Sequence, residues 1–201
     1  SGTSHNLAQN FSKAFDIKFS DENNELQYAW TTSWGVSTRF IGAVIMTHGD
    51  DQGLVFPPRI APIQIVIVPI FRSDEEKEKV MPVVKQLEKE LAAFRIKVDD
   101  RTEVTPGFKF NDWEMRGVPL RLEIGPKDVE KQHMMTARRD IPGREGKQIL
   151  PLENCAKVIG DLLEEIQAAL LSKATAFRDE NIHELTDYEA LKSVVESAWA
   201  Y

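Results

Sequence analysis

Between Gln64 and Arg101 the chain reads as strand, helix, strand, and no other stretch restricts the fold as tightly. Ile65 to Ile70 is an apolar run, the pattern of a strand buried on both faces. Ser73, with Glu76 three residues later, forms a capping box that opens a helix. Val80, Val83, Val84, Leu87 and Leu91 lie on one face of that helix and carry it to about Phe94. Pro82 falls inside the pattern and is expected to kink the helix or displace its first part. Ile96 to Arg101 is a second extended run. Strand, helix and strand in this order imply a right-handed parallel crossover.

Further on, a short helix over Phe110 to Arg116 is stopped by Gly117. Pro119 to Ile124 and Met134 to Asp140 read as strands, and the IPGREG turn joins the latter to Lys147–Leu152 as a hairpin. An amphipathic helix follows from Leu152, with Ala156, Ile159, Leu162, Leu163, Ile166 and Leu170 on its apolar face. The expectation is an α/β domain over residues 62–171, a mixed five-stranded sheet with flanking helices. Residues 1–61 carry a different pattern. A strand over Phe15 to Ser20, a polar DENNE turn and a second strand over Leu26 to Trp34 suggest an antiparallel hairpin before a helix of small residues. Pro57, Pro58 and Pro62 mark the linker. Residues 172–201 are acidic and helical in pattern, end in VVESAWAY, and read as the start of a further domain.

The 201 residues suffice for one good core or for one domain and part of another. A net charge of −7 argues against a protein that coats nucleic acid without selection, and no DNA partner is expected. The charge is uneven: Arg95 to Lys147 holds twelve basic against ten acidic side chains, whereas Gln148 to Tyr201 holds four against ten. The middle is the anion-tolerant part. Cys155 is the only cysteine, so no disulfide framework or zinc site can form within the chain, and a reducing, cytoplasmic compartment fits. The longest apolar run, Ile63 to Phe71, is far too short to span a bilayer. The chain opens without an initiator methionine and inside a motif, which reads as a fragment or a cleaved product.

Two stretches could carry chemistry. In TSWGVSTR a β-type run stops at Gly35 and delivers Ser37, Thr38 and Arg39 to a helix start. The first helical N–H groups lack partners, the macrodipole favours anions there, and arginine adds a planar fork suited to phosphate. The alternative is an N-cap followed by a surface arginine. HGDD (His48 to Asp51) offers two carboxylates to magnesium. It also reads as a helix C-terminus, with Gly49 in the left-handed conformation and His48 near the negative dipole end. Trp30 and Trp34 either wall a pocket or belong to a core. His5, His48, His133 and His183 are scattered without zinc spacing, and Cys155 on an amphipathic face reads as core.

SGTSHNLAQNF, TSWGVSTR with HGDD, PPRIAPIQIVIVPI, PGFKFNDWEMRGVPLRLEIGPKD and ARRD stand in the order of blocks in one family. The chain resembles class II prolyl-tRNA synthetases of the archaeal and eukaryotic type along nearly all of its length. The resemblance implies that residues 1–61 end an antiparallel-sheet catalytic domain and that residues 62–171 are the anticodon-binding domain. It implies ATP with magnesium, proline and tRNA(Pro) as partners, and a homodimer for the full enzyme. Arg39 would act at the ATP phosphates as the catalytic arginine, beside Ser37, with Thr3 near the adenosine. His5, Ser33 and Gly35 would line the proline pocket. Phe110 would stack an anticodon base, Glu114, Arg121 and Asp128 would read base edges, and Lys127, Arg144 and Lys147 would meet phosphates. Ala8 replaces a glycine common in the family, and the family's cysteine zinc ligands are absent, so no metal is assigned.

The other readings are a free-standing RNA-binding or subunit-docking module and another class II synthetase such as the threonyl, histidyl or glycyl enzyme. Thr3, His5 and Arg39 argue against the first, and the joint presence of GTSH, TSWGVSTR and PGFKFNDWE against the second. The family's first two signature motifs lie before Ser1. The isolated chain is therefore expected to form no prolyl-adenylate, and proline-dependent pyrophosphate exchange by it would refute that.

Overall fold

The computed structural model describes residues 2–185 and 187–197. Two compact units emerge, Ser1–Met46 and Thr47–Tyr201. In the first, β1 (Gly2–Ala8) leads into α1 (Asn10–Ala14), followed by β2 (Lys18–Ser20), β3 (Leu26–Tyr28), β4 (Thr31–Val36) and α2 (Arg39–His48). β2 and β3 form the expected antiparallel hairpin around DENNE, where Asp21 Oδ1 accepts from the backbone N–H groups of Asn23 and Glu25. The run from Leu26 to Trp34 is not one strand, however. It breaks at Ala29 and Trp30, and β4 pairs antiparallel with β1 instead. The Ser12 hydroxyl donates to the Ala29 carbonyl at 2.6 Å and the Gln9 amide to the Tyr28 carbonyl at 2.9 Å, so side chains take up the backbone at the break. Ala8 has φ +47°, the conformation glycine adopts without strain, which fits a position that the resembling family fills with glycine.

The second unit adds β5 (Ile65–Pro69), α3 (Asp74–Glu90), β6 (Ile96–Val98), α4 (Pro106–Met115), β7 (Leu120–Ile124), α5 (Pro126–Glu130), β8 (His133–Arg138), β9 (Lys147–Pro151), α6 (Cys155–Glu180) and α7 (Tyr188–Ser197). The sheet order is β6-β5-β7-β8-β9, with β5 parallel to β6 and β7 and the last three strands antiparallel. This is the mixed five-stranded sheet expected from the sequence. Ile65 and Ile67 face a core with Val80, Val84 and Leu87 of α3 and Ile159, Leu162, Leu163, Ile166 and Leu170 of α6. Val66 and Val68 face the other way, against Trp113 of α4 and Val118. Alternation along a strand buried on both faces produces both cores.

Several expectations need correction. The first part of α3 is not displaced by Pro82, since the helix runs from Asp74 through it to Glu90, and the Ser73 hydroxyl accepts from the Glu76 N–H as the capping box requires. Helix α4 starts at Pro106 with Thr105 as N-cap, a turn earlier than Phe110, because proline at the first helical position gives up no hydrogen bond. Gly117, at φ +71°, ends it as expected. Ala156 is exposed, and Cys155 occupies the core position beside it. Residues 47–61 pack on the five-stranded unit rather than belonging to the first: Val55 is in the core, and the Leu54 and Phe56 N–H groups bond the Met115 and Gly117 carbonyls. Helix α6 continues past Leu171 without a break. Of VVESAWAY, Ala198 to Tyr201 lie outside the described residues, as does Ser1.

A buried network ties β6 to α4. The Arg101 Nε and Nη2 donate to Asp99 at 2.8 and 2.7 Å, the Trp113 indole N–H donates to it at 2.7 Å, and Lys109 Nζ donates to its carbonyl. Burial pushes the Asp99 carboxyl up, but the Arg101 fork and the indole outweigh it and hold it down at about 2. A depressed folded value contributes stability above the ordinary aspartate range and loses it as pH falls toward 2, a contribution of about 2 kcal/mol at neutral pH. Asp99→Asn is expected to lower stability by about 2–4 kcal/mol at pH 7 and by much less near pH 2, read from urea unfolding at the two values. Equal losses at both would show that the carboxylate charge contributes nothing. In the other core, burial and the neighbouring Glu90 push the Cys155 thiol up to about 12. At pH 8 Cys155 should resist a thiol reagent until the protein is denatured; rapid labelling of the native chain would contradict its core role.

Candidate nucleic-acid interface

The alternation in LRLEI splits β7 by face. Leu120, Leu122 and Ile124 enter the core shared with α3 and α6, which turns Arg121 and Glu123 onto the side where α4 lies. Register extends that face, because Arg121 pairs with Ala137 and Ala137 with Lys147. Phe110 and Glu114 come from α4, four residues apart on one side of the helix.

The side chains converge. The Arg121 guanidinium lies 4.3 Å from the Phe110 ring centroid. Its Nε donates to Glu123 Oε1 at 3.1 Å, and its Nη1 to Glu114 Oε1 at 3.1 Å. Lys147 Nζ lies 3.0 and 3.2 Å from the two Glu123 oxygens and 5.5 Å from the Phe110 ring centroid. Arg121 and Glu123 are buried, at 7% and 9% side-chain exposure, while Glu114 and Lys147 stand at 34% and 35%. Two cations and two carboxylates around a ring carry no net formal charge. Such a surface offers stacking, donors and acceptors to base edges rather than a field for phosphates.

Phe110, Glu114 and Arg121 are thus brought together, with Lys147 beside them. Glu123 was missed from sequence, although the alternation of β7 puts it on the same face as Arg121. Asp128 has its contacts elsewhere: its Oδ2 accepts from the Gly125 N–H at 2.8 Å at the start of α5, and its Oδ1 lies 3.2 Å from His133 Nδ1. Lys127 and Arg144 are exposed.

The position of α4 is fixed from behind. Arg139, 2% exposed in its side chain, donates through Nη1 to Asp50 Oδ2 at 2.8 Å and through Nε to the Glu114 carbonyl at 3.0 Å. That pairing holds Asp50 below the usual carboxylate range. It also bears on the two readings of HGDD. Asp50 serves an arginine, and among the described residues no cluster of metal-ligating side chains occurs. The helix C-terminus reading holds, since α2 ends at His48, but Gly49 is not left-handed; burial, and then Lys173, hold the His48 imidazole below its ordinary range.

In the first unit Thr3 pairs with Gly35 and His5 with Ser33 across β1 and β4, so these four positions share one face. A Cβ at Gly35 would stand 2.8 Å from Thr3 Oγ1, which explains the missing side chain. Trp34 pairs with Ser4 and lies on the opposite face, 79% exposed; Trp30 is 71% exposed. Neither is core among the described residues of this unit, and Trp34 does not wall the face of His5. Arg39 is the first residue of α2, with Ser37 and Thr38 ahead of it.

The family model described as "Anticodon binding domain" matches residues 64–172. The chain is 58% identical over 200 residues to a proline–tRNA ligase of Roseiflexus castenholzii, covering 99% of this chain and 42% of the relative. It is 52% identical over 205 residues to the chloroplastic/mitochondrial proline–tRNA ligase of Arabidopsis thaliana, covering 99% of this chain and 38% of that protein. Among solved structures, prolyl-tRNA synthetase from Cryptosporidium parvum complexed with L-proline and AMP superposes with a TM-score of 0.81 at 43% identity, over 97% of this chain and 42% of that one. The chain thus spans about two fifths of the length of the relatives it matches. No helix among the described residues is long and apolar enough to cross a membrane.

Proposed function

The chain belongs to the family of anticodon binding domains, and from that premise we propose that it is part of a proline–tRNA ligase whose five-stranded unit reads the anticodon of tRNA(Pro). The observation that carries the reading is the cluster of Phe110, Arg121, Glu114 and Glu123, a ring with mixed donors and acceptors, in a chain 58% identical along its length to such a ligase. Sequence-specific RNA recognition takes splayed bases, stacks them on aromatics and bonds their edges. Guanine presents acceptors on one edge and donors on another, which suits an arginine beside a carboxylate. Phe110 stacks a base, and Arg121 and Glu114 divide the two edges. Asp128 reads a neighbouring base, while Lys127 and Arg144 meet the RNA backbone.

The first unit supplies one wall of the site for proline and ATP. The proline carboxylate attacks the α-phosphorus of ATP, pyrophosphate leaves, and the 3′-terminal hydroxyl of the tRNA then takes the prolyl group and releases AMP. Such chemistry asks mainly for alignment and charge neutralisation. Arg39 and Ser37, at the head of α2, hold phosphate oxygens, where the helix start favours anions. Thr3 lies near the adenosine, and His5, Ser33 and the open backbone at Gly35 receive proline. Magnesium arrives with the ATP phosphates. The proposal extends to a homodimer in the cytoplasm; the exposed apolar side chains of the first unit, Phe15, Leu26 and Val36 among them, leave it with surface for further chain to cover.

Arg121→Ala should weaken binding of tRNA(Pro) by roughly 1–3 kcal/mol, about tenfold to a hundredfold, in filter binding against a panel of tRNAs. An unchanged dissociation constant would remove Arg121 from the RNA-reading surface, and equal binding of every tRNA would remove the proline assignment.

A further inference from the structure

Arg121 is a buried cation with two carboxylates, and the two differ in exposure. Glu114 stands at 34% and Glu123 at 9%. A buried guanidinium must keep a counter-ion, because removing the only partner of a desolvated charge is strongly unfavourable. If an incoming base takes Glu114 away, as the proposed anticodon reading requires, the charge on Arg121 has to be held by something that stays. Glu123 is in that position: it accepts from Arg121 Nε at 3.1 Å, and the same carboxylate binds Lys147 Nζ at 3.0 and 3.2 Å. Lys147 is therefore neutralised from inside the protein.

We infer that Glu123 is a positioning residue of the RNA-reading face, the permanent counter-ion of Arg121 that also draws Lys147 inward from phosphate and leaves Glu114 as the exchangeable partner. The inference rests on the anticodon reading proposed above. It assigns Lys147 a role different from a phosphate contact, and it makes the cluster selective for bases because neither cation is free to bind RNA without regard to sequence.

The test uses the whole chain and two anticodon stem-loop RNAs, one with the adjacent guanines of the proline anticodon and one with a guanine replaced by adenine, titrated at several salt concentrations. The unmodified protein has to prefer the first RNA; if it does not, the anticodon reading itself fails. Given that preference, Glu123→Gln, checked for folding by its thermal midpoint, is expected to reduce it about tenfold. The salt dependence should steepen by about one phosphate contact as Lys147 is released. An undiminished preference with an unaltered salt slope overturns the inference. Lys147→Met supplies an independent arm should the glutamine variant not fold. If Glu123 neutralises Lys147, the salt slope of this variant equals that of the unmodified protein. A slope shallower by about one contact makes Lys147 a phosphate ligand and sinks the assignment.

Discussion

Strand β5 has no exposed side: Ile65, Val66, Ile67 and Val68 are all fully buried, and that burial sets the terms for the rest of the second unit. A strand apolar on both faces must be covered on both, so helices are required above and below the sheet. Helices α3 and α6 cover one face along its length. On the other, α4 is short, and Trp113 covers Val66 and Val68 while the neighbouring strands on that side carry Arg121, Glu123 and Lys147. The candidate interface is the part of the sheet where apolar covering gives out.

That boundary explains why the unit holds so many buried charges. Asp99, Arg121, Glu123, Arg138 and Arg139 are each below a tenth exposed, and each has an ionic partner. In such places desolvation offsets much of the attraction of an ion pair, but the pairing is strongly directional. Arg138 pairs with Asp140 and Glu165, but Asp99, Arg121 and Arg139 all reach α4. Asp99 holds it through Trp113 and Lys109 at one point, and Arg139 holds the carbonyl of Glu114 at another. Gly117 turns the chain just beyond the helix end, where a Cβ would stand 2.6 Å from Leu54. These restraints hold the helix that carries Phe110 and Glu114 to Arg121, and Phe110 packs against the Val66 and Trp113 core besides.

In the first unit strand pairing is what positions the candidate residues. Among its described residues only Ser12 is buried, and its two strand pairs are held by backbone ladders and by side-chain grips at Ala29 and Tyr28. Its local geometry nevertheless brings Thr3, His5, Ser33 and Gly35 to one face, because antiparallel pairing puts directly opposed residues on the same side. Strand register brings that set together.

Much of this was legible along the chain because it depends on local period and capping. The apolar run of β5, the capping box of α3, the face of α6 and the stop at Gly117 all involve residues a few positions apart. What could not be read in that way was pairing between distant residues. The break at Ala29, the attachment of residues 47–61 to the second unit and the commitment of Asp50 to Arg139 each join segments far apart in sequence. Glu123 lay within reach, since it alternates with Arg121, yet its meaning depends on Lys147 arriving two strands away. Sequence by itself determined which residues could be buried and which helices would form, since those follow from side-chain chemistry at fixed spacing. Only the tertiary structure decided which charge faces which, because long-range strand register, set by the whole sheet, places the partners.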